Sequence, residues 1–225
     1  MSTYPLDMAQ PRLPGAILPP LRFTTRRSAA HMIALTLVWL AVAAGAVVFT
    51  EPAPVDVLTI ALIVLLPLIG LVAIKPGLVV FLSIWLAAAA AAFAASAFSS
   101  DIARSSIHSG ISVYLYLATF VFAAFVARKP VGHTRLVLHA YQWAACVAAL
   151  AGLAGYFGLF PGAGELFTKF GRATGTFKDP NVYGPFLIPA LLYALHQCLT
   201  RPLHRIAVPA AMVLLLGFGV LLSFS

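Results

Sequence analysis

Leu78-Val-Val-Phe-Leu-Ser-Ile-Trp-Leu-Ala-Ala-Ala-Ala-Ala-Ala-Phe-Ala-Ala-Ser-Ala-Phe98 runs for 21 residues without one charged side chain. A helix needs about 20 apolar residues to cross the hydrocarbon core of a bilayer. The six consecutive alanines, Ala87–Ala92, present small side chains that let neighbouring helices approach closely. This stretch reads as a membrane span of scaffold type, and the rest of the chain repeats its character. Of 225 residues, 62% are hydrophobic and 9% charged, with a mean hydropathy of +0.99. Soluble domains carry about a quarter charged residues. The composition predicts an all-α, polytopic membrane protein.

Seven apolar runs are expected to span: Met32–Phe49, Val57–Ile74, Leu78–Phe98, Gly110–Ala127, Leu138–Phe160, Val182–Leu199 and Ile206–Phe224. Short connections marked by Pro, Gly or charge separate most of them, as suits antiparallel helical hairpins. Residues 1–31, with five prolines and four arginines, read as a disordered basic tail. Basic residues ahead of an apolar stretch also fit a signal peptide, but the spans that follow favour a retained first span. Residues 32–160 then form a five-span scaffold, 161–181 a polar loop, and 182–225 two further spans.

The net charge of +8 could indicate nucleic acid, but the basic residues fall in short loops rather than on one face. They divide unevenly between the two sides. Ten, among them Lys75, Arg128, Lys129, Arg135, Arg201 and Arg205, share a side with the N-terminus, whereas Arg104, Lys169, Arg172 and Lys178 lie opposite. The positive-inside rule makes the N-terminus cytoplasmic and puts the 161–181 loop outside.

That loop holds the string Gly171-Arg-Ala-Thr-Gly-Thr-Phe-Lys-Asp-Pro-Asn-Val-Tyr-Gly184. Asn181 is placed to cap the following span, and a helix N-terminus beside Arg172 and Lys178 would attract an anion such as phosphate. Asn before a helix is most often only a cap, and interfacial Lys or Arg most often snorkel to head groups. Pro185 is tolerated near the start of the span and Pro189 should bend it. Cys146 and Cys198 read as buried inert thiols, the histidines as interfacial polar residues, and the Gly152, Gly155, Gly158 spacing as helix packing. No His-Glu-x-x-His or Cys-x-x-Cys pattern calls for a metal.

The string from Arg172 to Asn181, followed by Val182-Tyr183-Gly184 and an apolar span, resembles the signature of the O-antigen ligase and polymerase superfamily of bacterial inner-membrane enzymes. The resemblance covers roughly residues 165–225. It implies a glycosyltransferase without metal or cofactor. Such an enzyme moves glycan from an undecaprenyl-pyrophosphate carrier to an acceptor, lipid A core or a growing polysaccharide, at the periplasmic face. It implies Arg172 as the pyrophosphate-binding group, Lys178, Asn181, Thr174 and Thr176 as substrate contacts, and Asp179, Pro180 and Gly184 as the turn. Family members continue with further spans and a loop carrying another Arg and a His, so the chain corresponds to an N-terminal portion. Alternatives from the residues alone are a non-catalytic membrane subunit or inactive fragment, and a transporter or flippase whose span is broken at Pro185 and Pro189.

Overall fold

The computed structural model of the chain describes residues 24–50 and 52–224. The expected tail therefore lies outside the described residues as far as 23. From Thr24 the chain is already helical, eight residues ahead of the expected first span.

Among the described residues the architecture is all-α apart from one two-residue strand pair. Eight α-helices follow in order: α1 (Thr24–Ala44), α2 (Pro54–Leu68), α3 (Pro76–Ser96), α4 (Ile102–Arg128), α5 (Pro130–Tyr156), α6 (Ala163–Phe167), α7 (Pro180–Thr200) and α8 (Ala207–Ser223). The strands β1 (Thr168–Lys169) and β2 (Arg172–Ala173) sit between α6 and α7. Four helices, α3, α4, α5 and α7, are long and apolar enough to cross a membrane, and α2, α8 and the Ala29–Ala44 part of α1 are shorter apolar helices. Large hydrophobic side chains such as Ile84, Leu115, Val147 and Leu192 stay exposed along these helices, as lipid-facing surfaces require. Together these features suggest a multi-pass membrane protein.

Helix ends follow local chemistry more than hydropathy. The Asp101 side chain accepts from the Arg104 amide at 3.0 Å and so starts α4 eight residues before Gly110. Pro130 at the first position starts α5 eight residues before Leu138. Conversely, α2 ends at Leu68, short of the expected Ile74. Gly70, at φ +68°, lets its own amide reach the Pro67 carbonyl and the Leu71 amide reach that of Leu66, a Schellman closure. At 15 residues α2 is about 22 Å long, against about 40 Å for the 27-residue α4 beside it.

Two cores share α5. On one side α1, α2 and α4 enclose Val38, Leu62, Leu66 and Phe125. On the other, α5, α7 and α8 enclose Ala145, Ala149, Tyr183, Leu187 and Leu216. On α7 the buried residues Tyr183, Leu187, Ala190, Ala194 and Gln197 recur at helical spacing. They meet the small-residue face of α5, Ala144, Ala148 and Gly152. Within this core the Gln197 amide donates to the Gln142 carbonyl oxygen at 3.1 Å. Both prolines lie inside a continuous α7, and the Tyr141 hydroxyl on α5 donates to the Phe186 carbonyl at 2.6 Å. His133, expected at an interface, is buried instead. Its ring stacks on Phe125 at 3.9 Å, and Nδ1 lies 2.6 Å from the Phe125 carbonyl.

Candidate functional site

The 161–181 segment is a folded unit whose second half enters the helix bundle. Gly162, at φ +82°, precedes the single turn α6. The Phe167 side chain packs against α5 at Gly155, where any Cβ would lie 2.5 Å from that of Phe167. The β1–β2 hairpin then turns on Phe170 and Gly171, with φ of +56° and +73°. Two successive positive φ values define the type I′ turn that matches the twist of paired strands. Lys169 and Arg172 consequently stand directly opposite one another. Phe170 is 83% exposed at the tip, beneath the Lys169 ammonium.

After the hairpin the backbone plunges. Ala173, Thr174, Gly175, Thr176 and Phe177 are all buried. A Cβ on Gly175 would lie 2.6 Å from the Ala148 carbonyl, eight residues and about 12 Å below the end of α5 at Tyr156. Irregular backbone at such depth requires its polar groups to be satisfied by protein. Here the Thr174 and Gly175 amides donate to the Phe167 carbonyl at 2.9 and 3.2 Å. The Phe177 amide donates to the Thr174 carbonyl at 3.1 Å, and the Val48 amide to the Thr176 carbonyl at 3.0 Å. The Thr176 hydroxyl donates to the Ala46 carbonyl. The segment is thereby tied to the chain leaving α1.

The chain resurfaces at Lys178. Asp179, rather than the expected Asn181, is the N-cap of α7, its carboxylate accepting from the Asn181 amide at 2.8 Å. Asp-Pro explains the shift: Pro180 takes the first helical position, leaving Asn181 one residue inside. Asn181 instead offers its side-chain oxygen to Arg172 Nη2 at 3.2 Å. The same guanidinium reaches the end of α8, Nε donating to the Ser223 carbonyl at 2.6 Å and Nη2 to the Phe224 carbonyl at 3.4 Å. A cation on terminal helix carbonyls complements the helix dipole. Lys169 closes the rim, its ammonium 3.5 Å from the Lys178 carbonyl.

Of the residues singled out in the sequence, the fold gathers Arg172, Lys178, Asp179 and Asn181 around the N-terminus of α7. Thr174 and Thr176 lie in the buried segment, 3% and 7% exposed, and bond backbone rather than facing solvent. Pro180 and Gly184 are buried in the first turns of α7.

Two residues escaped the sequence reading. Lys169 joins the rim because a two-residue turn separates it from Arg172, a relation that the Phe170-Gly171 pair flanked by two cations could have signalled. Tyr183 is the larger omission. Its ring is fully buried among three glycines, Gly152 of α5, Gly175 of the entering segment and Gly219 of α8. Its hydroxyl is without a hydrogen-bond partner among the described residues. Gly152 and Gly155 thus serve packing, whereas a Cβ on Gly158 would meet nothing within 4 Å.

Among the described residues no three His, Cys, Asp or Glu side chains converge as a metal site. The rim carries three cationic residues, the Asn181 amide and one carboxylate, Asp179, which already caps the helix N-terminus; its excess of positive charge suits an anion. No protein-family model, curated protein or solved structure matches the chain. Fold and site together define a candidate multi-pass membrane protein with a cationic, partly inserted loop at one end of its bundle.

Proposed function

We propose that this chain is a membrane glycosyltransferase of the O-antigen ligase and polymerase type. In this reading it has seven spans in a bacterial inner membrane, its N-terminus is cytoplasmic, and its loop faces the periplasm. It transfers glycan from an undecaprenyl-pyrophosphate carrier to an acceptor hydroxyl on lipid A core or a growing polysaccharide. The observation that carries the reading is that Lys169 and Arg172, paired across the hairpin, both reach the N-terminus of α7, the Lys169 ammonium at the Lys178 carbonyl and the Arg172 guanidinium at the Asn181 side chain, with Lys178 next to the cap residue in sequence. In the transfer, the acceptor oxygen bonds to the anomeric carbon as the bond from that carbon to the pyrophosphate oxygen breaks. The electron pair leaves with the pyrophosphate, where preorganised cations stabilise it, and the acceptor hydroxyl gives its proton to the departing pyrophosphate oxygen or to water. Arg172 supplies the fixed charge of a guanidinium held through Nε and Nη2 by protein oxygens, and Lys169 and Lys178 supply point charges. Asn181 holds the guanidinium from one side.

The test is glycan transfer in membranes carrying Lys169→Gln, Lys178→Gln and Arg172→Lys variants. Loss of transfer with normal membrane insertion supports the reading, and full transfer by all three rejects it. A second reading, a non-catalytic membrane subunit, is favoured by one observation: Arg172 spends hydrogen bonds on the Ser223 and Phe224 carbonyls, as a helix cap would. In that case Arg172 variants lose fold stability, and the two lysine variants change nothing.

A further inference from the structure

A separate recess lies between α2 and α4, on the same side of the bundle as the cationic loop. It follows from the length mismatch of these neighbours. The Ser96 and Ser109 hydroxyls, 3.1 Å apart, mark the level at which the 21-residue α3 ends against α4. Tyr114, five residues further along α4, is about 7 Å deeper. Its hydroxyl donates to Asp56 Oδ1 at 3.2 Å in the first turn of α2. The space left above it is a cleft of about 670 Å³. Ile107, Gly110, Ile111 and Tyr114 line it from one face of α4, and Asp56 and Ile60 from one face of α2.

We infer that this recess seats a phospholipid with a primary ammonium head group, drawn from the leaflet on the loop side. The chemistry follows from its lining. The isoleucines offer an apolar wall for an acyl chain, and the half-buried Asp56 carboxylate is the one charged group on that wall among the described residues. Asp56 Oδ2 already accepts from the Ala53 amide at 2.8 Å and Oδ1 from Tyr114. A carboxylate has about four lone-pair sites, so acceptor capacity for an ammonium remains. A purely anionic head group would meet a like charge there. A span too short for the bilayer is met by local thinning, which lowers lipid head groups toward its end. At α2 that brings a head group down to Asp56. Gly110 faces open space, since a Cβ there would meet nothing within 4 Å, so a bulky side chain at this position would fill the recess. The inference rests on the membrane reading alone and is independent of the loop's chemistry.

The experiment is native mass spectrometry of the full chain, equilibrated with equal amounts of phosphatidylethanolamine and phosphatidylglycerol of identical acyl chains. The wild type should retain the ethanolamine lipid about threefold to fivefold more, the range of a partly exposed ion pair. Asp56→Asn should bring the ratio to about one, and Gly110→Phe should reduce retention of both lipids. A wild-type ratio of one, an unchanged ratio in Asp56→Asn, or retention of detergent alone overturns the inference. If Asp56→Asn does not fold, the wild-type ratio and Gly110→Phe, whose side chain enters open space, still decide it.

Discussion

A Cβ placed on Gly175 would lie 2.7 Å from Cε2 of Tyr183, so the entering segment and the first turn of α7 are fitted to one another at atomic contact. The same position would be 2.6 Å from the Ala148 carbonyl, a backbone atom held in α5. Gly175 also sits at φ +52°, where an L side chain is disfavoured. Gly175→Ala should therefore destabilise the fold by about 2–4 kcal/mol, combining overpacking with backbone cost. Thermal unfolding in detergent checks this, and a change below about 0.5 kcal/mol would mean that the segment does not enter the bundle.

Tyr183→Phe should behave in the opposite way. The hydroxyl is buried against Gly152 and Gly219 without a hydrogen-bond partner among the described residues. Leaving a buried polar group unsatisfied costs about 1–3 kcal/mol. Removing it should hold or raise the melting temperature, and should partly rescue Gly152→Ala, whose new methyl would press on the phenol. A clear loss of stability in Tyr183→Phe would show that the hydroxyl bonds another group.

Thr176→Val tests the tie between the entering segment and the chain after α1. The variant keeps the shape but leaves the Ala46 carbonyl without the Thr176 hydroxyl. One hydrogen bond is worth about 1 kcal/mol, so exchange of the Val48 amide, bonded to the Thr176 carbonyl at 3.0 Å, should accelerate about fivefold. Unchanged exchange would mean that the tie does not depend on the Thr176 hydroxyl.

Orientation is checked by a compartment-specific reporter fused near Glu165. The distribution of Lys and Arg predicts activity only outside the cytoplasm. Cytoplasmic activity would invert the topology and remove the loop from any carrier presented at the periplasmic face.

Helical class and the broad placement of apolar elements were legible because hydropathy over 20 residues is a strong signal, as Leu78–Phe98 illustrates. Helix ends were less legible. Gly70 closes α2 inside an apolar run, and Asp101 opens α4 in a polar one, so capping overrode hydropathy at both. At the loop, charge and turn residues pointed to Arg172, Lys178 and Asp179. Nothing in Ala173–Phe177 announces burial, because Thr, Gly and Ala suit a surface turn as well as a packed one. Tyr183 was hidden for a related reason: its socket is assembled from glycines 31 residues before it, 8 before it and 36 after it.

In the proposed function the rim of Lys169, Arg172 and Lys178 holds a lipid-linked diphosphate. Its most direct measurement is binding of undecaprenyl pyrophosphate, against undecaprenol, to the full chain in nanodiscs. Lys169 and Lys178 are exposed, so the Lys169→Gln, Lys178→Gln double variant leaves the packed residues untouched. A preference for the pyrophosphate of about tenfold or more is expected, weakened by salt and largely lost in the double variant. Equal binding of both lipids, or a preference that survives the double variant at high salt, would contradict it.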